Sequence, residues 1–421
     1  MKRWNTSRID QLGRVITGKT PSSQRLDEFG SDYPFITPSD IPKTQKRVRT
    51  ERFLSEKGME AHKRLRLPRK TTSVVCIGAT IGKVSQIERP SISNQQINSI
   101  IPAQGEQDAD FIYYLATTLK DSLVSFAGGS ATPIINKSTF SGIKLLVPEF
   151  VEQQKIAAIL TAYDDLIEAN QRRIALLERM AEEIYREWFV RLRFPGHEKT
   201  KLIRGVPTGW KVQALRNVVS EMKRGIRQSE LTADQKYIGL EHIPRRSISL
   251  REWATADSVK SNKLRFQERD ILFSKIRPYL HKVALAHFEG VCSTDAIVLR
   301  PVERVYEGYV LFTVFSDTFI ELATVASNGT KMPRADWKFR QKLELAIPSR
   351  ELCAQFQTHF EGHYSQIVAL LRANELLTRT RDLLLPRLIS GKLSVEDLAI
   401  QFPPSMAAEV ASGDRNANAH R

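Results

Sequence analysis

Cysteine is nearly absent from this chain: Cys76, Cys292 and Cys353 are the only three in 421 residues. So sparse a set excludes a disulfide scaffold and a four-cysteine metal cluster, and it suits a reducing, cytoplasmic setting. No run of about 18 apolar residues occurs, so no transmembrane helix is expected. Met1 to Thr6 carries charge with no apolar stretch behind it, unlike a secretory leader.

Catalytic signatures are equally scarce. Gly13-Arg14-Val15-Ile16-Thr17-Gly18-Lys19-Thr20 has the spacing of a phosphate-binding loop, but Pro21 follows at once and no apolar helix face comes after it. His359 and His363 stand four apart, yet Phe360 occupies the place of a zinc protease's general base and no third ligand is near. An amino-methyltransferase tetrapeptide such as Asn-Pro-Pro-Tyr is missing, the sole Pro-Pro being Pro403-Pro404. Glu221-Met222-Lys223 has the Glu-x-Lys spacing of a metal nuclease but lacks a Pro-Asp partner, and no Gly-x-Ser-x-Gly elbow occurs. The expectation is a non-catalytic chain that needs no cofactor and no metal.

Positive charge is what the chain has in surplus: 63 Lys+Arg against 47 Asp+Glu, a net +16. Residues 1–149 hold 22 basic and 14 acidic side chains, and residues 193–348 hold 27 and 17; residues 150–192 (6 and 8) and 349–421 (8 and 8) carry none of the excess. Two matched basic bodies point to two surfaces for a polyanion.

The bodies also echo each other. Trp4 with Ile9 to Leu12 matches Trp210 with Val212 to Leu215, and Phe35 to Pro42 matches Tyr237 to Pro244. Asn94 to Pro102 matches Ser293 to Pro301, Gly129 to Pro133 matches Gly329 to Pro333, and Leu146-Val147-Pro148 matches Ala346-Ile347-Pro348. The order is the same in both halves and the offset stays between about 199 and 206. Compact β-rich runs (71–75, 270–273, 283–288, 296–299) interrupted by helical patches (111–119, 309–314) predict an α+β module in each half.

A different pattern follows each module. Ile156, Leu160, Tyr163, Ile167, Asn170, Ile174, Leu177, Ala181, Ile184 and Trp188 recur at spacings of four and three, the seam of a long helix with one Asn in it. Adding 200 gives a second, less pure seam of Phe356, Phe360, His363, Ile367, Leu370, Asn374, Leu377, Arg381, Leu384 and Leu388; an offset of 204 would instead match Asn170 with Asn374. Gly362 and Pro386 should weaken this second helix locally. Each helix needs a partner for its seam, and antiparallel packing of one on the other supplies it; use of the helices for homodimerisation is the alternative. The expected architecture is α+β: two similar globular domains (1–149 and 193–348), two long antiparallel coiled-coil helical segments (150–192 and 349–395) and a flexible tail (396–421).

Candidate nucleic-acid contacts sit on loops beside Gly and Pro turns. Lys43, Lys46, Arg47, Arg49 and Arg52 follow Ile41-Pro42, as Arg245, Arg246 and Arg251 follow Ile243-Pro244. Lys83 is answered by Lys282, near Lys275 and Arg277, and Lys331 and Arg334 trail Gly329. Such cations can reach phosphates and guanine edges, while Gln95 and Gln96 have the chemistry to read adenine.

On these residues the sequence resembles the DNA-specificity subunits of type I restriction-modification systems over about residues 1–395. The carriers are Asp40-Ile41-Pro42 and His242-Ile243-Pro244, Asn94-Gln95-Gln96-Ile97-Asn98 and Cys292-Ser293-Thr294-Asp295. Others are Leu146-Val147-Pro148 with Glu152-Gln153-Gln154-Lys155-Ile156-Ala157, and the closing Leu385-Pro386-Arg387-Leu388-Ile389-Ser390-Gly391-Lys392-Leu393. The second copy of the Glu-Gln-Gln-Lys-Ile-Ala stretch departs to Leu352-Cys353-Ala354-Gln355-Phe356. The resemblance implies two target-recognition domains, each reading half of a split double-stranded DNA site, on helices that dock two modification (methyltransferase) subunits. Those partners carry adenine methylation, and two restriction subunits, which use ATP, join them. The alternative is a two-headed nucleic-acid-binding regulator or scaffold without modification partners.

Overall fold

The computed structural model describes residues 4–42, 46–127, 133–325, 327, 333–335, 337 and 341–406. Contacts divide the chain into two units, Met1–Glu168 with Glu375–Arg421, and Ala169–Asn374.

Unit 1 is built on a four-stranded antiparallel sheet ordered Gly13–Thr17, Ile97–Pro102, Thr72–Val75, Val84–Gln86. Its strand Thr72–Val75 is buried along its whole length, and Ser73 Oγ meets Ser99 Oγ across the ladder at 2.9 Å, so these two buried hydroxyls satisfy each other. Phe35 and Ile36 pair in parallel with Ile92 and Ser93, and Asn5–Arg8 pairs antiparallel with Lys144–Val147. The helix Ala109–Thr117 covers the sheet; Asp108 starts it by accepting from the Phe111 N–H at 2.8 Å.

Unit 2 repeats this plan. Its four-stranded sheet runs Val219–Met222, Ala296–Pro301, Ile271–Ser274, Val283–Leu285. Tyr237 and Ile238 pair in parallel with Val291 and Cys292, and Lys211–Ala214 pairs with Glu344–Ile347. The helix Glu307–Phe315 takes the place of Ala109–Thr117. The repetition extends to single hydrogen bonds. Asn94 N donates to Ile36 O and Ser293 N to Ile238 O, both at 2.9 Å; Cys76 N donates to Gln96 O at 2.8 Å and Lys275 N to Asp295 O at 2.9 Å. Three of the five sequence matches therefore fall on equivalent structure. In a fourth, Trp4 and Trp210 precede equivalent strands, but Ile9 N donates to Ile143 O as Leu215 N donates to Leu343 O, so Ile9 corresponds to Leu215 and not to Val212. The fifth, Gly129 to Pro133 against Gly329 to Pro333, lies outside the described residues except for its two prolines.

Two long helices, Phe150–Tyr185 and Arg350–Ile389, each contribute to both units. A π-helical turn, Arg186–Val190, follows the first. Within unit 1, Ile156, Ala157 and Leu160 share a core with Leu384 and Leu388, and Asp164 pairs with Arg381. Within unit 2, Asn170 Nδ2 donates to Asn374 Oδ1 at 2.9 Å, Ile174 packs with Ile367 and Leu371, and Tyr185 meets Phe356 and Phe312. Partner numbers fall as the first helix's numbers rise, so the pairing inside each unit is antiparallel. An Asn pair in an otherwise apolar seam fixes register, because any slip strands its amides among aliphatics.

The second seam differs from the offset-200 expectation. Tyr364 and Leu371 are the buried residues, where His363 and Leu370 were expected. An offset of 204 matches Leu160 with Tyr364, Ile167 with Leu371 and Asn170 with Asn374. A glutamine clasp agrees: Gln153 Oε1 accepts from Asp108 N and Gln357 Oε1 from Gly308 N, each at 2.9 Å. Gly362 and Pro386 both lie inside a continuous helix.

The expected flexible tail is also corrected in its first part. Val395 and Met406 are buried in unit 1, Ser405 Oγ donates to Asp165 Oδ2 at 2.5 Å, and Lys155 Nζ donates to Glu396 O at 2.5 Å. Burial of these two apolar side chains holds the stretch down. Residues 407–421 of that tail lie outside the described residues.

Candidate nucleic-acid interface

Each unit presents a turn after its parallel strand pair. In unit 1 the Thr37 N–H and hydroxyl both donate to Asp40 Oδ2 at 2.8 Å; in unit 2 the Gly239 N–H donates to His242 Nδ1 at 2.9 Å. Ile41 and Ile243 anchor these turns in the core. A lysine then ties each turn to the hairpin beyond: Lys83 Nζ donates to Ile41 O at 3.0 Å, and Lys282 Nζ to Leu240 O. Burial, then nearby Arg245, lowers the Lys282 ammonium below the usual lysine range. Both lysines thus hold the turns.

The cations after the first turn differ more sharply from expectation. Lys46 is almost buried: its ammonium pairs with Asp110 Oδ1 at 2.6 Å, donates to Thr161 at 3.3 Å and lies over the rings of Tyr113 and Tyr114. Arg47 bridges Glu88 at 3.2 Å and Glu168 at 3.0 Å. These two join the first turn to the helices. Lys43 lies outside the described residues, and Arg49 is exposed.

Gln95 is exposed, with its Oε1 accepting from Thr20 N at 3.2 Å and Thr20 Oγ1 at 2.6 Å; Gln96 Oε1 accepts from Asn94 Nδ2 at 3.1 Å. In unit 2, Arg245 is exposed and Arg246 reaches Asp317 at 3.0 Å. Lys275 Nζ donates to Thr294 O at 2.8 Å, Arg334 lies 3.5 Å from Asp295, and Arg277 is exposed. Lys275, Arg277, Arg334 and Asp295 therefore meet at one edge of unit 2. Lys331 lies outside the described residues.

Several backbone positions on these edges are left-handed in both units. Gly78 (φ 77°) matches Arg277 (φ 50°), Gly82 (φ 82°) matches His281 (φ 53°), and Lys70 (φ 67°) matches Arg269 (φ 70°). Outside glycine such a conformation costs about 1–2 kcal/mol. The last pair has a visible use that sequence reasoning missed. Lys70 Nζ donates to Asp110 Oδ2 at 2.6 Å, and Arg269 Nε donates to Glu307 Oε2 at 2.9 Å and reaches Glu361. In both units a cation buttresses the start of the covering helix. The shared offset of 199 was the one signal that could have exposed it.

The seam residues are placed as follows. Ile156, Leu160, Ile174, Phe356, Phe360 and Ile367 are buried, while Tyr163, Ile167, Leu177, Leu377 and Leu384 are half-buried.

The remaining chemical motifs are absorbed by the fold. Gly13–Thr17 is a strand, not a phosphate loop: a Cβ on Gly13 would lie 2.0 Å from Ile101 O, and one on Gly18 2.1 Å from Ser93 O. These glycines admit a neighbouring strand. His363 Nδ1 lies 2.8 Å from His359 O within the helix, and His359 stands edge-on to Trp188. The three thiols are buried, and burial pushes Cys76 up to about 11 and Cys292 and Cys353 up to about 12, so none is an activated nucleophile.

One α+β fold built twice, carrying different polar and cationic side chains on equivalent turns and sharing two long helices, defines a duplicated recognition protein. Residues 1–179 match the family described as type I restriction modification DNA specificity domain. The chain is 27% identical over 413 residues to the type I restriction enzyme MjaIX specificity subunit of Methanocaldococcus jannaschii, covering 94% of this chain and 95% of that one. It is 37% identical over 166 residues to the HindI specificity subunit of Haemophilus influenzae, covering 37% of this chain and 35% of that one. The crystal structure of a type I S subunit from M. genitalium shares the fold, with a TM-score of 0.53 at 15% identity, over 91% of this chain and 96% of that one. Over most of its length the chain is thus similar to DNA-specificity subunits of type I restriction-modification systems.

Proposed function

We propose that this chain selects a bipartite double-stranded DNA sequence, one half-site per unit, and directs separate methylation and restriction subunits to it. The observation that carries this reading is the duplication itself. The same strands and the same backbone hydrogen bonds recur in both units. Exposed side chains at several equivalent positions do not recur: Gln95 of one unit is matched by Thr294 of the other, and Gly78 and Ile134 by Arg277 and Arg334. A common scaffold with two different polar surfaces is what reading two different half-sites requires. Residues 1–149 and 193–348 are then the target-recognition domains, and 150–192 and 349–395 the helical segments that dock partners. Of the candidate contacts, Arg49, Gln95, Gln96, Arg245, Arg246, Lys275, Arg277 and Arg334 stay on the DNA-facing set, and Lys46, Arg47, Lys83 and Lys282 become its supports.

The chemistry belongs to the partners: two modification subunits that methylate adenine, and two restriction subunits. Co-expression of the tagged full-length chain with those subunits, followed by mass measurement of the purified complex, tests this. One copy of the chain with two modification subunits is the expected result. A chain that purifies alone and still binds DNA sequence-specifically would instead make it a stand-alone regulator.

A further inference from the structure

We propose that Arg277 is a guanine-reading residue of unit 2, filling a role that unit 1 leaves empty at the matching position, Gly78. The proposal rests on the DNA-reading function given above and adds a specificity-determining side chain to it.

Gly78 and Arg277 do the same backbone work. The N–H of Gly78 donates to Pro133 O, and that of Arg277 to Pro333 O, both at 2.9 Å. Both residues are left-handed to make that bond. Glycine adopts this conformation freely; arginine does not, and the proline that follows, Pro278, restricts it further. The fold therefore has a ready solution at this position, which unit 1 uses and unit 2 does not. The Arg277 side chain gives unit 2 nothing visible in return: it is exposed, and no hydrogen bond or ion pair of its guanidinium is found among the described residues. A side chain that strains its backbone and serves no internal contact is the kind found where a ligand is gripped.

The surroundings say which ligand. Lys275 and Arg334 stand on the same edge, with Asp295 beside Arg334. The matching positions of unit 1 carry no charge: Cys76 is buried, Ile134 is exposed, and Gln96 replaces the acid. Lys275 and Arg334 are already tethered, to Thr294 O and Asp295, and supply charge for the phosphates. Among the described cations of this edge, Arg277 offers an untethered planar fork on a backbone of fixed direction, the geometry that matches guanine O6 and N7. The proposal is thus a guanine in the half-site read by unit 2, contacted by Arg277.

The test uses Arg277→Gly and Arg277→Lys in the full-length chain, expressed with its modification subunits, with the methylated motif read across a genome and the melting temperature of each purified variant measured. Arg277→Gly places in unit 2 the residue unit 1 already has, so the expected melting temperature equals or exceeds that of the unaltered chain. The expected motif keeps every base of the other half-site and loses preference for one guanine by roughly 5- to 150-fold. Arg277→Lys, which keeps the charge and loses the fork, is expected to lose that preference too. An unchanged motif in both variants overturns the assignment. So does an even weakening at all sites that lysine restores, since that marks a phosphate contact. An unaltered chain that directs no motif at all overturns the DNA-reading function itself, and is separate from either result.

Discussion

Replacing Asp110 with alanine is expected to destabilise unit 1 by about 3–5 kcal/mol, the cost of leaving buried charge without its partner. Asp110 sits at the start of the covering helix with 3% of its side chain exposed, between Lys46 (10%) and Lys70 (17%), each at 2.6 Å. Burial alone would raise its pKa. The two ammonium groups outweigh that and hold the carboxyl well below the usual carboxylate range. The stabilisation from this depressed acid is fully present above about pH 4, where the unfolded chain's carboxyl ionises, and is lost as pH falls below that. Urea unfolding at neutral pH checks the magnitude. A midpoint that does not move on Asp110→Ala would mean that the two lysines are solvated and free. The consequence reaches the turn after Ile41, because Lys46 is the residue through which that turn is braced on Asp110 and Thr161.

Acidification should act on unit 2 through His287. This imidazole is 6% exposed, edge-on to Trp253 and Phe288, and its Nδ1 has no hydrogen-bond partner among the described residues. Burial first, then Lys236 and Arg372, lowers its pKa to about 4. The folded state therefore resists a proton that the unfolded chain takes up near pH 6.5. Stability is complete above pH 6.5 and declines as pH falls toward 4, by about 3 kcal/mol in total, since each tenfold loss of proton affinity on folding is worth about 1.4 kcal/mol. Amide exchange in the strand Val283–Leu285, followed from pH 7 to pH 4 after correction for intrinsic rates, is expected to show this loss. His287→Gln should flatten the dependence. An unchanged slope in that variant would assign the acid sensitivity to other groups.

Much of this architecture was legible in the sequence because its signals are local. The seam of Ile156, Leu160 and Ile174 announces a helix through spacing alone. The echo of Phe35 to Pro42 in Tyr237 to Pro244 marks a turn fixed by a few nearby hydrogen bonds. The site was less legible for a corresponding reason. Lys46 and Arg47 look like solvated loop charges until Asp110 and Glu168, 64 and 121 residues further along the chain, are brought against them. Lys83 and Lys282 look equally free until a carbonyl 42 residues earlier takes each ammonium. The slip of the second seam from His363 to Tyr364 is of the same kind. Heptad spacing tolerates either, and the choice is made by where Tyr364 fits: against Phe360, with its hydroxyl on Ala286 O at 3.2 Å. Nor does any sequence pattern announce that Arg277 occupies a glycine's backbone conformation; that follows only from superimposing one repeat on the other.

The central claim is that this chain chooses the DNA sequence and other polypeptides do the chemistry. Genome-wide detection of methylated bases, in cells carrying the modification subunits with and without this chain, tests it most directly. The account predicts a two-part methylated motif that is present only when the chain is expressed and absent when the modification subunits are omitted. The same motif with this chain deleted, or methylation by the purified chain alone, would contradict it.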